Sequence, residues 1–199
     1  MNKFFTFILG LIISINVFSQ TTIENYNNTD KNEVKIGFFQ LYEGAFQVGF
    51  ERYLNNNTSI IIIGTSTIKE KEFNKIIGAS GEIQYRFYFY PSENSKISFY
   101  TGPYIMYKYR EETNLNLNLK SYTYSTDNYT YDNIYGSGII GGAKFNIFHK
   151  IYVDLSLGGG LRLCKSNKSD NYYYEDNGIL SPQYSGFAPK LNLMFGLKF

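Results

Sequence analysis

Residues 151–164 read IYVDLSLGGGLRLC. Ile151, Val153, Leu155, Leu157, Leu161 and Leu163 alternate with Tyr152, Asp154, Ser156, Gly158, Gly160 and Arg162. Successive side chains on a strand point to opposite faces. The stretch therefore reads as a strand with one greasy face and one face of small and ionic groups. Working outward, the same period recurs. Residues 79–90 set Ile83, Tyr85, Phe87 and Phe89 against Ser80, Glu82, Gln84, Arg86 and Tyr88. Residues 97–110 set Ile97, Phe99, Ile105, Tyr107 and Tyr109 against Ser98, Gly102, Tyr104, Lys108 and Arg110. Residues 187–199 set Phe187, Leu191, Leu193, Phe195, Leu197 and Phe199 against Lys190, Asn192, Gly196 and Lys198. Weaker alternation covers 33–40, 45–54 and 134–147, and 58–68 holds four consecutive isoleucines whose facing is ambiguous.

These segments predict eight strands. Their connectors alternate in length. Short ones fall at 55–57, 91–95 and 148–150, and longer ones at 69–76, 111–133 and 165–186; only the first, near Leu41–Gly44, is short where the pattern calls for a long one. Short turns at one rim and long loops at the other mark an up-and-down membrane barrel. A soluble barrel would place the apolar face inside and charged groups outside. The polar face of the sixth strand (Gly136, Gly138, Ile140, Gly142, Lys144, Asn146) instead suits a crowded lumen. The strands also reach the roughly 9–11 residues needed to cross a bilayer. Tyr and Phe gather toward the strand ends, as aromatic girdles do. The expected fold is all-β, an eight-stranded antiparallel up-and-down transmembrane barrel, with a secreted soluble barrel as the competing arrangement. Because lipid offers no partner to a sheet edge, 33–40 are expected to pair with 187–199.

Composition narrows the chemistry. The chain has 199 residues, a formal charge of +2, 20 Tyr, 17 Phe and no Trp. No basic stripe points to nucleic acid. The single cysteine, Cys164, and single histidine, His149, leave little for a disulfide framework, a metal site or a catalytic triad. No cofactor is expected. Residues 1–19 carry Lys3 and then an apolar run from Phe4 to Val17, which reads as a secretory signal peptide cleaved near Ser19. Residues 20–32 read as a flexible lead-in, and 33–199 as the barrel.

The chain resembles the small outer-membrane barrels of the OmpA/OmpX-like type, particularly porin-family barrels of Bacteroidetes. The resemblance covers about 35–199 and rests on GFERYLNNNTS (49–59), IQYRFYFYP (83–91), GPY (102–104) and the terminal LNLMFGLKF. It implies the outer membrane of a Gram-negative bacterium and contact with outer-membrane lipid. It further implies recognition of the last strand, ending in Phe199, by the barrel-assembly machinery.

Two groups of candidate site residues follow. Glu51, Glu82, Arg86, Lys108, Lys144, Asp154 and Arg162 should point into the lumen, where unpaired charge is costly and pairing is expected. A turn centred on His149 would set Lys144 opposite Asp154, with Glu51, Glu82 and Arg86 as a second cluster. Such groups form either a structural polar plug or a gated polar path or proton relay. The second group is Tyr122, Tyr124, Tyr129, Tyr131, Tyr172, Tyr173 and Tyr174, in the long connections 111–133 and 165–186. Tyr, Ser and Asn with little charge suit an adaptable recognition surface for an extracellular ligand, or simply pack against one another. Leu115, Leu117 and Leu119 continue the outward parity of strand five, so 113–135 are expected to rise as a hairpin. Adjacent acids Glu111 and Glu112, and Glu175 and Asp176, read as solvated loop charge, not as a hydrolytic pair. The expected role is non-enzymatic: structural, adhesive or surface-binding, with a narrow pore as the alternative.

Overall fold

The computed structural model describes residues 31–37, 44–71, 74–89, 96–118, 123–148, 150–168 and 184–199. The signal segment 1–19, most of the lead-in, His149, Tyr122 and Tyr172 to Tyr174 lie outside the described residues, as does the side chain of Tyr124.

The elements are β1 (Asn32–Gly37), β2 (Ala45–Asn55), β3 (Thr58–Lys71), β4 (Asn74–Phe89), β5 (Ile97–Asn118), β6 (Thr123–Asn146), β7 (Ile151–Lys168) and β8 (Gly186–Lys198). They close in chain order into one antiparallel ring. β1 and β8 make the seam, from Glu33 opposite Lys198 to Gly37 opposite Met194. Beyond it, Asn32 and Phe199 exchange two backbone hydrogen bonds of 3.2 and 2.9 Å. Closure gives every described strand a neighbour on both sides and so removes the hazard of an open sheet edge.

The connectors differ from the sequence expectation at one rim. Residues 69–71 and 74–76 belong to β3 and β4 and pair with each other. Most of 111–133 is strand, running through Asn118 and resuming at Thr123. The reason is that the two-residue period does not stop at the rim. Glu111 faces Tyr131 and Asn118 faces Thr123, with a bulge between Asn114 and Asn116. The adjacent acids Glu111 and Glu112 therefore sit within β5 and not in a loop.

Among the described side chains, direction follows the alternation. Leu157 is 60% exposed, while its neighbours Ser156 and Gly158 face inward. The isoleucine run is resolved by its register. Ile62 points out at 55% exposure, whereas Ile61 and Ile63 point in and pack with Met194. That sector of the lumen is lined by hydrocarbon, which is why the run reads as two-sided.

The outward face has a sharp composition boundary. Arg52 and Lys150 stand at the short-turn end, and Glu70, Lys75, Glu111 and Lys165 at the opposite end, bounding the apolar zone. Between them the outward positions of the described strands carry no Lys, Arg, Asp or Glu. Their place is taken by residues such as Val48, Ile83, Ile105, Ile139, Leu161 and Leu191, all exposed.

Candidate functional site

The interior is where the charges are. In the half nearest the short turns, three cations and three carboxylates form one cluster, each side chain at most 2% exposed. Lys35 lies against Glu51 and Asp154. Arg86 Nη1 donates to Asp154 Oδ2 at 2.6 Å and to Glu51 Oε2 at 3.3 Å. Lys144 Nζ donates to Glu33 Oε2 at 2.6 Å and reaches Glu51 Oε2 at 3.5 Å. Removing charges from water is costly unless the remaining lone pairs and protons are also met. Hydroxyls do this here. Tyr88 donates to Glu51 at 2.6 Å, Tyr53 donates to Glu33 at 3.2 Å, and Ser59 and Tyr100 donate to Glu51 and Asp154.

Aromatic faces complete the packing. The Arg86 guanidinium lies 4.1 Å from the Tyr100 ring centre and the Lys144 ammonium 4.7 Å from that of Tyr152. Such contacts stabilise cations already stripped of water. Two of these rings are seated over cross-strand glycines. Tyr100 faces Gly142 and Tyr152 faces Gly196. A Cβ at Gly142 would come within 2.4 Å of the Tyr100 ring, and one at Gly196 within 2.0 Å of the Tyr152 ring. The inward glycines thus make room for tyrosine in a narrow bore.

Further along the same strands the lumen changes character. Gln84 bridges the two regions, accepting from Arg86 Nε at 2.8 Å and donating to Glu82 at 2.7 Å. Glu82 then pairs with Lys190, whose ammonium sits 4.3 Å from the Tyr104 ring centre. Glu82, Lys190, Lys108 and Arg162 border a cavity of about 250 Å³. Beyond it, Arg110 donates to Glu112 at 2.6 Å and to Asp132 at 3.4 Å.

The residues read from sequence as lumenal thus separate into two places. Glu51, Arg86, Lys144 and Asp154 join in the buried cluster, while Glu82, Lys108 and Arg162 line the cavity. Lys144 does stand opposite Asp154 in the ladder. The charge partners shown for each come from other strands, however: Glu33 and Glu51 for Lys144, Lys35 and Arg86 for Asp154. The expected Glu51–Glu82–Arg86 cluster forms only in part, since Glu82 connects to Arg86 through Gln84. Sequence reading singled out neither Glu33 nor Lys35, although both sit at inward parity around Val34. It also left Tyr53, Tyr88, Tyr100, Tyr152 and Lys190 without a role.

Outside the ring, the β5–β6 hairpin carries a ladder of tyrosines. The Tyr107 and Tyr135 ring centres are 5.2 Å apart, and those of Tyr129 and Tyr131 5.1 Å. Tyr107 also donates to Asn133 Oδ1 at 2.7 Å. Of the tyrosines read as a binding surface, Tyr129 is exposed and Tyr131 half-buried, and both are engaged with neighbouring rings.

Neither a protein-family model nor a curated protein sequence matches the chain. Among solved structures it is similar to three outer-membrane barrels. The N-terminal β-barrel domain of Pseudomonas aeruginosa OprF is 13% identical over 87% of this chain and 100% of that one, with a TM-score of 0.43. Neisserial surface protein A is 11% identical over 84% of this chain and 94% of that one, at 0.48. Acinetobacter baumannii CarO is 8% identical over 88% of this chain and 100% of that one, at 0.49.

Proposed function

We propose that this chain is an integral outer-membrane barrel that anchors a tyrosine-rich hairpin and keeps its own bore shut. The observation that carries the reading is the outward band without ionic side chains. From Ile151 to Leu163 on β7 the strand rises about 3.3 Å per residue. At a tilt of ~40°, as in closed membrane barrels, this projects to roughly 30 Å, the thickness of a bilayer's hydrocarbon core. A water-soluble barrel would bury this surface, because an exposed apolar patch of such size drives association. In this reading lipid covers the band and Phe199, exposed after β8, ends the strand that an assembly machinery would read.

The buried cluster supports a structural role over conduction. Its fully buried cations and carboxylates match three to three, part-exposed Lys198 also reaches Glu33 at 3.9 Å, and its tyrosines fill the space between them. The reading is non-enzymatic, with surface binding through Tyr129, Tyr131 and their neighbours on the hairpin. Cell fractionation and planar-bilayer recording test it together. The protein is expected in the outer-membrane fraction, with no steady current through the reconstituted barrel. Recovery in the aqueous supernatant without detergent would contradict the membrane assignment, and a stable ohmic conductance would favour the narrow pore.

A further inference from the structure

The outer face of the ring is not evenly covered. A groove of about 920 Å³, walled mostly by apolar atoms, crosses it from β3 to β7. Small residues make its floor. Gly81 is exposed, and a Cβ added there would meet nothing within 4 Å. Ser137 stands between Ile105 and Leu161 in the ladder, both of them exposed. Tyr107 and Tyr135, with ring centres 5.2 Å apart, form one wall.

The groove runs at a slant to the apolar band. On β7 it includes Leu163, two residues from Lys165, and on β5 Tyr107, four residues from Glu111. On β4 it includes Gly81, six residues from Lys75, and on β3 Ile62, eight residues from Glu70. It therefore starts beside the ionic boundary on β7 and descends into the band towards β3. The slant follows from strand tilt, which inclines every row of paired residues to the barrel axis. Four inter-strand steps of ~4.8 Å make the groove roughly 20 Å long. An inclined path of that length spans about half of the ~30 Å hydrocarbon core of a bilayer, the depth of one leaflet.

Polar groups stand at its upper end. Lys165 is exposed and lies opposite Asn133 in the ladder. Asn133 accepts from the Tyr107 hydroxyl at 2.7 Å, which ties a wall of the groove to the neighbour of the ammonium. Among the described side chains, Lys165 is the only ionic group at an outward position of β6 or β7. A cation held at the surface of a leaflet attracts anionic headgroups. We propose that the groove seats an acyl chain of one lipid whose phosphate headgroup carries a net negative charge and meets Lys165.

This inference rests on the membrane reading and names the lipid that the band would hold. Native mass spectrometry of the detergent-solubilised protein reads it, with dioleoylphosphatidylglycerol and, separately, dioleoylphosphatidylcholine as probes. The anionic lipid is expected to be retained about tenfold more tightly. Gly81→Leu fills the floor and should weaken both lipids about tenfold, and Ser137→Phe should do the same from another strand. Lys165→Gln should lower phosphatidylglycerol to the level of phosphatidylcholine and leave the latter unchanged. Leu197→Phe, on the outer face but away from the groove, should retain both lipids as the parent does. Circular dichroism identifies any variant that fails to fold, and two floor variants keep the test decisive. Equal retention of the two lipids by the parent, or retention indifferent to both floor variants, would overturn the seat. Such a result from a protein found in the outer-membrane fraction removes the seat and leaves the membrane reading standing, whereas recovery in the aqueous supernatant removes both.

Discussion

Near the short turns, Lys35, Arg86 and Lys144 meet Glu33, Glu51 and Asp154 in a closely filled bore. Near the long connections, Lys190 pairs with Glu82, Arg162 donates to the Tyr184 carbonyl, and both border open volume with Lys108. Both halves are made of inward residues on the same strands, alternating with the same apolar outer face. The difference lies in what fills the bore between the charges. In the first half Tyr53, Tyr88, Tyr100 and Tyr152 occupy the gaps and donate to, or lie over, the ions. In the second half Gly136, Gly160 and Ala188 leave the gaps empty. Charge in a lumen is thus packed into the structure where aromatic residues exclude water, and borders open space where small residues line the wall.

The sharpest way to break this comparison is one substitution made in both halves. Arg86→Met would leave Glu51 and Asp154 short of a cation in a sealed site. It is expected to cost about 3–5 kcal/mol in urea unfolding of the refolded barrel. Arg162→Met, in a part-buried position, is expected to cost less than about 1 kcal/mol. Similar costs at the two sites would erase the distinction between plug and cavity.

A second comparison sets the outer face against the inner one. Leu157→Arg places a charge at the middle of the apolar band and is expected to cost about 2–4 kcal/mol in lipid vesicles. Lys165→Leu, beyond the band, should leave unfolding nearly unchanged. If both variants unfold like the parent, the assignment of faces is wrong.

A smaller effect sharpens the account of the plug. Gly196→Ala drives a methyl into the Tyr152 ring and is expected to cost about 1–3 kcal/mol through overpacking. Adding Tyr152→Leu should recover part of that loss, since it removes the ring that the methyl meets. A Gly196→Ala variant as stable as the parent would show that the ring is not held by its surroundings.

Much of this was legible from alternation alone. A strict period of two decides which face each residue takes, so the outward set on β4, β5, β7 and β8 followed directly from sequence. Closure of β1 on β8 followed from the need to satisfy backbone groups. The charge partners did not follow, because ring closure and strand stagger bring distant strands together across the bore. Lys35 meets Asp154 at a separation of 119 residues, a contact that no local register argument contains. The cavity was illegible for a related reason, since it depends on small residues of β6, β7 and β8 facing one another. The hairpin was half legible: its rise was expected from the continued parity of Leu115, Leu117 and Leu119, but its tyrosine stacking needed coordinates.

The central claim is that the apolar face meets acyl chains. Its most direct test is quenching by lipids brominated on their tails, using a fluorophore on a single cysteine at position 157 or 165 in a Cys164→Ser background. Strong quenching at 157 and weak quenching at 165 are expected. Equally weak quenching at both positions, from a properly folded barrel in vesicles, would contradict the account.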